Sequence, residues 1–222
     1  MGSTRRGSRR VRRPTVVVVA TLAATLLAAL VAGCGGSTAS TDPLVGYWVG
    51  GGTGAQMTLV QIKSDGGKYT VLANPNRPTG AAKKEGDSLV VDTHAVLMRF
   101  TPLPGDKMQL QFTGEMFKKP VTQSLSRTDQ TGYADAAVAY GIVAIRRGLA
   151  MWKAGGGKKY PPAAEVAPDG MLSKMISWPL NLFTGQPMQQ SDGKGDYTYS
   201  QVAGGKSYSL VGHLSDGSTV GK

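Results

Sequence analysis

The chain has 222 residues and a formal net charge of +11, from 25 basic and 14 acidic side chains. Residues 1–33 hold six arginines and no acidic residue, so the rest of the chain keeps a net charge of only +5. The remaining basic residues are single or paired instead of forming a stripe, which argues against a nucleic-acid-binding surface. The only cysteine, Cys34, excludes an internal disulfide, so packing must stabilise the fold. The 188 residues after Cys34 are enough for one large domain or two small ones.

The first 34 residues have the order of a secretion signal. Six arginines precede the uncharged residues 14–33, and this stretch ends in the run Leu30-Val31-Ala32-Gly33-Cys34. A charged segment, an apolar segment and small residues before a cleavage point are typical of an export signal. The ending resembles the lipobox of bacterial lipoproteins. This resemblance implies that residues 1–33 are a signal peptide, that a diacylglycerol is attached to the Cys34 thiol, and that acyl chains such as palmitate anchor the protein.

The alternative for this segment is a signal-anchor helix with an incidental cysteine. Its apolar run barely reaches the ~20 residues that a membrane span needs, and it is rich in alanine and threonine. We therefore expect a lipid anchor on the outer, extracytoplasmic face of the cell membrane. Residues 34–42 begin with the lipidated cysteine and are otherwise mostly small and uncharged, which predicts a flexible tether.

Residues 43–128 have the pattern of an antiparallel β-sheet. Short runs of alternating apolar and polar residues are separated by turn sequences at residues 64–67 and 102–106. The pattern predicts six or seven strands, near residues 44–50, 56–63, 68–73, 88–93, 96–101, 107–113 and 119–126. A meander of this kind closes into a barrel or half-barrel.

The hydrophobic period changes after residue 132. Apolar residues now recur at steps of three and four, which predicts a helix over residues 133–153. These residues are Val138, Ile142, Ile145, Leu149 and Trp152. A short helix near residues 170–176 and two strands, at 195–200 and 206–213, are predicted to follow. The predicted fold class is therefore α+β, with the barrel or half-barrel followed by a helix packed on a small antiparallel sheet.

Three groups of residues in the tail occur in a fixed order. They are Tyr160-Pro161, then Trp178-Pro179-Leu180-Asn181 with Thr184-Gly185, and then Gly195-Asp196-Tyr197-Thr198-Tyr199. In this order they resemble the soluble domain of type IV pilins and type II secretion pseudopilins. The resemblance implies a pilin-like helix and sheet domain over residues 133–222. The long apolar amino-terminal helix by which pilins polymerise has no counterpart here, so the resemblance implies a pilin-like head on a lipid anchor.

Catalysis needs a nucleophile, a base and an orienting group that converge, and the sequence offers few candidates. His94 lies at a predicted turn and His213 at a predicted strand end, without metal-ligand spacing, so we expect surface or capping roles. The sequence predicts no catalytic residue, no metal and no cofactor. One alternative is that Asp192, Asp196 and Asp216 converge on a cation such as calcium, and the other is that they are solvated loop residues.

The sequence therefore predicts a non-catalytic, lipid-anchored envelope lipoprotein that binds a protein or wall polymer and no nucleic acid. Two alternatives remain open. A carrier or sensor would hold a small apolar ligand in a cavity of the barrel. Residues expected to line such a cavity are Met57, Leu59, Met98, Phe100 and Leu110. A hydrolase acting on the wall would need a cleft that joins a histidine to a serine and a carboxylate.

Overall fold

The computed structural model of the protein describes residues 42–52, 57–74 and 77–221. The predicted signal peptide, Cys34 and the tether up to residue 41 lie outside these described residues. Eight strands form a closed antiparallel barrel in which each strand pairs with its neighbours in sequence and β1 pairs with β8. The strands are β1 (Gly46–Gly50), β2 (Thr58–Asp65), β3 (Lys68–Ala73), β4 (Arg77–Glu85), β5 (Ser88–Asp92), β6 (Leu97–Leu103), β7 (Lys107–Thr113) and β8 (Val121–Thr128).

The barrel confirms the predicted meander and settles it as closed. The bounds of the seven predicted strands agree with the structure to within two residues. The eighth strand, β4, has no counterpart among the predicted strands. Its sequence has no alternation of apolar and polar residues, because it combines Pro78, Gly80, two alanines and two lysines.

The barrel interior is filled by one cluster of buried apolar side chains. Alternate residues of the strands point inward, as expected for a period of two. The members include Trp48, Val60, Ile62, Val71, Leu89, Val91, Phe100, Met108, Leu110 and Leu125. Trp48 also donates a hydrogen bond from Nε1 to the carbonyl of Leu44, 3.0 Å away. The segment that precedes β1 is thereby fixed to the core.

A single α-helix, α1 (Gln130–Ala154), follows the barrel. It begins at Asp129, whose carboxylate accepts a hydrogen bond from the backbone nitrogen of Gly132 at 2.7 Å. The predicted apolar stripe is confirmed, because Val138, Ile142, Ile145 and Leu149 are buried in the core of the tail. No helix among the described residues is long and apolar enough to cross a membrane.

The helix packs on a small antiparallel sheet, which confirms the α+β class. The sheet has the order β11 (Tyr197–Val202), β12 (Ser207–His213) and β13 (Thr219–Gly221). Strand β12 approaches α1 closely at Gly212, where a Cβ atom would meet the side chains of Val138 and Ile142. Two short strands, β9 (Leu180–Asn181) and β10 (Gln186–Pro187), pair separately. The 3₁₀ helices are Ala163–Glu165, Met171–Lys174 and Ala203–Gly205, the second of them within the predicted helix near 170–176.

The barrel and the tail share a third apolar cluster. Leu59 lies on the outer face of β2, where it is fully buried against Tyr133 and Ala137 of α1. Tyr47 joins it through a ring contact with Tyr133, with 5.1 Å between the ring centroids. The described residues accordingly belong to one compact unit.

Candidate functional site

A groove of about 710 Å³ lies between the barrel, helix α1 and the segment 175–180. The first wall comes from one face of the helix, with Tyr140, Val143, Ala144, Arg147 and Met151. The second wall is the rim of the barrel, and the third is the segment that leads into β9. Its volume is within the range of small-ligand sites, about 300 to 1,000 Å³.

The helix lines the groove with a second stripe of residues. Tyr133, Ala137, Tyr140, Ala144, Arg147 and Met151 recur at steps of four and three. At about 100° per residue, this stripe is on the side of the helix opposite the buried stripe that packs on the small sheet. Its first part is covered by the barrel, through Tyr133 and Ala137. Its later part lines the groove, through Ala144, Arg147 and Met151.

The segment 175–180 is held rigidly against the tail core. Trp178 donates a hydrogen bond from Nε1 to the carbonyl of Met188 at 2.9 Å. Its ring meets that of Tyr197 edge-on, with the centroids 6.0 Å apart. Ile176 packs on the helix at Gly148, and a residue larger than glycine at position 148 would be crowded by the Ile176 side chain. This wall of the groove is therefore formed before any ligand binds.

The barrel wall of the groove comes from the ends of strands. Ala73, Asn74, Thr79 and Met98 belong to it. The backbone nitrogen of Asn74 donates to the carbonyl of Leu59 at 3.0 Å. The hydroxyl of Thr79 donates to the carbonyl of Val71, also at 3.0 Å. These bonds fix the two polar residues of this wall at the rim of the barrel.

Among the side chains that the structure describes, Arg147 provides the only formal charge in the lining of the groove. Its side chain is exposed, and within the described ranges no carboxylate forms an ion pair with it. The other polar groups of the lining are the side chains of Asn74, Thr79, Tyr140 and Ser177. The groove is thus a mainly apolar surface with one positive charge beside it.

The two histidines lie in different parts of the fold. His94 is in the turn between β5 and β6, with a positive φ of 65°, and its backbone nitrogen donates to Asp92 at 2.7 Å. His213 ends β12, as predicted, and its Nε2 is buried without a hydrogen-bond partner among the described residues. The structure places His94 in the barrel and His213 in the three-stranded sheet, and their backbone positions match the expected turn and strand end.

Asp196 belongs to a hydrogen-bonded network inside the tail. Its Oδ1 accepts from the Asn181 amide at 2.9 Å and from the backbone nitrogen of Gln189 at 3.0 Å. Its Oδ2 accepts from the Ser191 hydroxyl at 2.8 Å. Asn181, 1% exposed, also donates to the carbonyl of Lys194 at 3.0 Å. Asn181 and Asp196 therefore hold the local loops together.

The three candidate calcium ligands do not form a cluster. Asp192 is exposed in its loop. Asp216 accepts hydrogen bonds from the hydroxyl and the backbone nitrogen of Ser218, at 2.6 and 2.9 Å, and these lower the pKa of its carboxyl group. Within the part of the chain that the structure describes, no three His, Cys, Asp or Glu residues are arranged to hold a metal ion.

The residues expected to line a cavity of the barrel are divided between two places. Phe100 and Leu110 belong to the filled interior. Leu59 and Met57 belong to the cluster under the helix, outside the barrel. Met98 packs against the interior at the rim, where it also lines the groove. The expectation that they share one cavity is therefore wrong, because alternation along a strand does not distinguish the inner face from an outer face that a helix covers.

No protein-family model matches this chain, and neither the curated proteins nor the solved structures include a significant match. The structure defines the class as an α+β protein with a closed eight-stranded antiparallel barrel and a helix on small sheets. Its function must be inferred from its own residues. The second stripe of α1 is visible in the sequence, because its residues from Tyr133 to Met151 recur at steps of four and three, like those of the buried stripe.

Proposed function

We propose that the protein is an exported envelope lipoprotein, anchored through lipid on Cys34 to the outer face of the cell membrane. The observation that carries this proposal is the sequence of six arginines, an uncharged stretch and the run Leu30-Val31-Ala32-Gly33-Cys34. Burial of acyl chains contributes about 0.8 kcal/mol per CH₂ group, so two or three chains hold a protein at a membrane almost irreversibly.

The exported part acts as a non-catalytic binding module for an envelope protein or a wall polymer. The groove between the barrel and the helix supports a binding role in general, because its lining is mainly apolar. The small number of candidate catalytic side chains in the sequence supports it as well.

The tail is proposed to be a pilin-like head displayed on the lipid anchor. Its order of elements supports this, since a helix of 25 residues is followed by a small antiparallel sheet. The motif residues Trp178, Asn181 and Asp196 support it further, because each makes hydrogen bonds that shape the connections between these elements.

A second candidate function is a carrier or sensor of a small apolar ligand. The groove favours this candidate too, with Met98, Met151 and Met175 in its lining. The ligand would lie at the rim of the barrel beside α1, next to Met98, and not inside the filled barrel. The two candidates differ in what occupies the groove.

Replacement of Cys34 tests the anchoring proposal. We expect Cys34→Ala to lose labelling by a fatty-acid analogue, because the only acceptor thiol is removed. The uncut precursor or a shed soluble form should accumulate. The matched control Ser37→Ala, three residues away in the predicted tether, should be labelled and anchored like the wild type. If the wild type takes up no lipid label, or if Cys34→Ala is processed and anchored normally, the proposal is wrong.

A further inference from the structure

We propose that the groove binds a single-chain anionic amphiphile, a molecule with an alkyl chain and one anionic head group such as a carboxylate. The inference rests on the second candidate function, a carrier or sensor, and names the chemical class of its ligand. The alkyl chain lies along the apolar walls, and the head group pairs with Arg147.

The walls suit a flexible apolar chain. The helix contributes Val143 and Met151, the barrel rim Met98, and the third wall Met175 and Ile176. Methionine side chains are unbranched and polarizable, so they adapt to chains of different shape. The groove of about 710 Å³ also has the size of a small-ligand site, whereas a stable protein partner needs an extended surface.

The charge at the groove selects an anion. Arg147 is the only charged residue among the described side chains of the lining. Its guanidinium group is permanently charged and matches carboxylate geometry with two parallel hydrogen bonds. Because it has no carboxylate partner among the described residues, a ligand head group would not have to displace one. A neutral ligand would leave this favourable interaction unused.

The walls are ordered before binding, which reduces the entropy cost of binding a ligand. Trp178 is fixed by its hydrogen bond to Met188. Ile176 contacts the helix at Gly148. Thr79 is bonded to the barrel backbone. These three residues therefore keep their positions when a chain binds, while the methionine side chains adapt to it.

Photolabelling of the full-length protein tests this inference. The protein is purified, returned to phosphatidylcholine vesicles and exposed to a palmitic acid analogue with a photoreactive diazirine in its chain, or to the neutral methyl ester of that analogue. We expect the acid to label peptides from residues 140–151 and 175–180. Arg147→Gln should reduce labelling by the acid about tenfold or more, as expected for the loss of a charged hydrogen bond, and leave labelling by the ester unchanged.

Arg146→Gln is the matched control, since it removes the same charge one residue away, on the side of the helix near Tyr208 and away from the groove lining. It should label like the wild type, whereas Ala144→Trp should reduce labelling by both probes because it fills the groove. Circular dichroism checks that each variant is folded.

The inference is overturned if labelling by the acid is not enriched in these peptides. It is also overturned if the ester labels them as strongly as the acid, or if Arg146→Gln and Arg147→Gln have equal effects. The intact mass of the same wild-type sample reports separately whether Cys34 carries lipid, so a failed anchoring proposal is distinguished from a failed ligand assignment.

Discussion

Asn181 forms three side-chain hydrogen bonds within the protein. Its amide nitrogen donates to Lys194 and Asp196, and its amide oxygen accepts from the backbone nitrogen of Phe183 at 2.9 Å. A buried polar group is costly unless its bonds are satisfied, so this side chain fixes the loop before β11 relative to β9. The presence of Asn181 in the tail thus has a structural explanation, since its side chain joins two connections of the fold.

Gly195 is required next to Asn181. It has a φ of 86°, and a Cβ atom there would overlap the Asn181 side chain. We expect Gly195→Ala to reduce the free energy of unfolding by about 3 kcal/mol, because backbone strain and the overlap add together. Urea unfolding measures the loss.

Gly217 provides the control for this prediction. Its φ is 83°, but nothing lies within 4 Å of the position of a Cβ atom. Gly217→Ala should therefore cost only the backbone strain, about 1 to 2 kcal/mol. Equal losses in the two alanine variants would show that the contact with Asn181 is unimportant.

Tyr199 should make the protein sensitive to alkali. Burial, with Tyr208 and Tyr160 nearby, raises the pKa of Tyr199 from 10.0 to about 12. The pKa of Tyr199 is higher in the folded state than in the unfolded state. Its contribution to the free energy of unfolding is therefore complete below pH 10 and is lost as the pH rises through about 12. Tyr199→Phe should unfold with a weaker dependence on pH in this range, as measured by denaturant unfolding at several pH values.

The same variant should be less stable at neutral pH. The Tyr199 hydroxyl donates to the carbonyl of Pro161 at 2.7 Å, and loss of this bond should cost about 1 kcal/mol. An unchanged dependence on alkaline pH in Tyr199→Phe would contradict the role given to Tyr199.

Among the elements, those with a clear period could be predicted from the sequence. Seven strands alternate, and the stripe from Val138 to Leu149 has helical spacing, so both agree with the structure. Strand β4 could not be predicted, because its position depends on pairing with β3 and β5 and not on an apolar face of its own. The three-residue strand β13 is similarly specified by its pairing with β12.

Asp42 connects the start of the described chain to two strands of the barrel. Its carboxylate accepts a hydrogen bond from Tyr69 of β3 and lies 3.7 Å from the ammonium group of Lys84 of β4. Burial alone would raise the pKa of Asp42, but hydrogen bonds from Tyr69 and Leu44, together with the charge of Lys84, lower it below 3.8.

We therefore expect acid to weaken this connection. A carboxyl group with a lowered pKa in the folded state adds stability above its ordinary pKa of 3.8 and loses it as the pH falls through the folded value. Asp42→Asn should lose about 1 kcal/mol at pH 7, since the pair is partly exposed. The difference from the wild type should vanish in strong acid. A difference that stays constant with pH, measured by urea unfolding, would count against this account.

At the scale of the whole molecule, the groove exists because α1 packs on both the barrel and the tail sheet. Tyr133 and Ala137 pack on the barrel, while the opposite side of the helix packs on the tail sheet. Beyond Tyr140 the second stripe borders the groove instead of a packed interface. The site could not be predicted from the sequence, because its walls come from strand ends, a helix face and a loop that are far apart along the chain.

The cluster under the helix should make the barrel and the tail unfold together. Leu59 is fully buried between β2 and α1, so Leu59→Ala should lower the free energy of unfolding by about 2 to 5 kcal/mol. Val121→Ala, at a position on β8 that is 47% exposed, should change it by less than about 0.5 kcal/mol. Hydrogen exchange followed by mass spectrometry measures the opening of each element separately.

In the wild type we expect the barrel strands β5–β7 and the tail strands β11 and β12 to exchange with similar opening free energies. Leu59→Ala should reduce protection in both groups, because the lost contact belongs to both. If protection falls only in the barrel, the two parts are energetically separate and the helix is merely adjacent to the barrel. The groove would then lie between two independent domains, and its width would change with their relative motion.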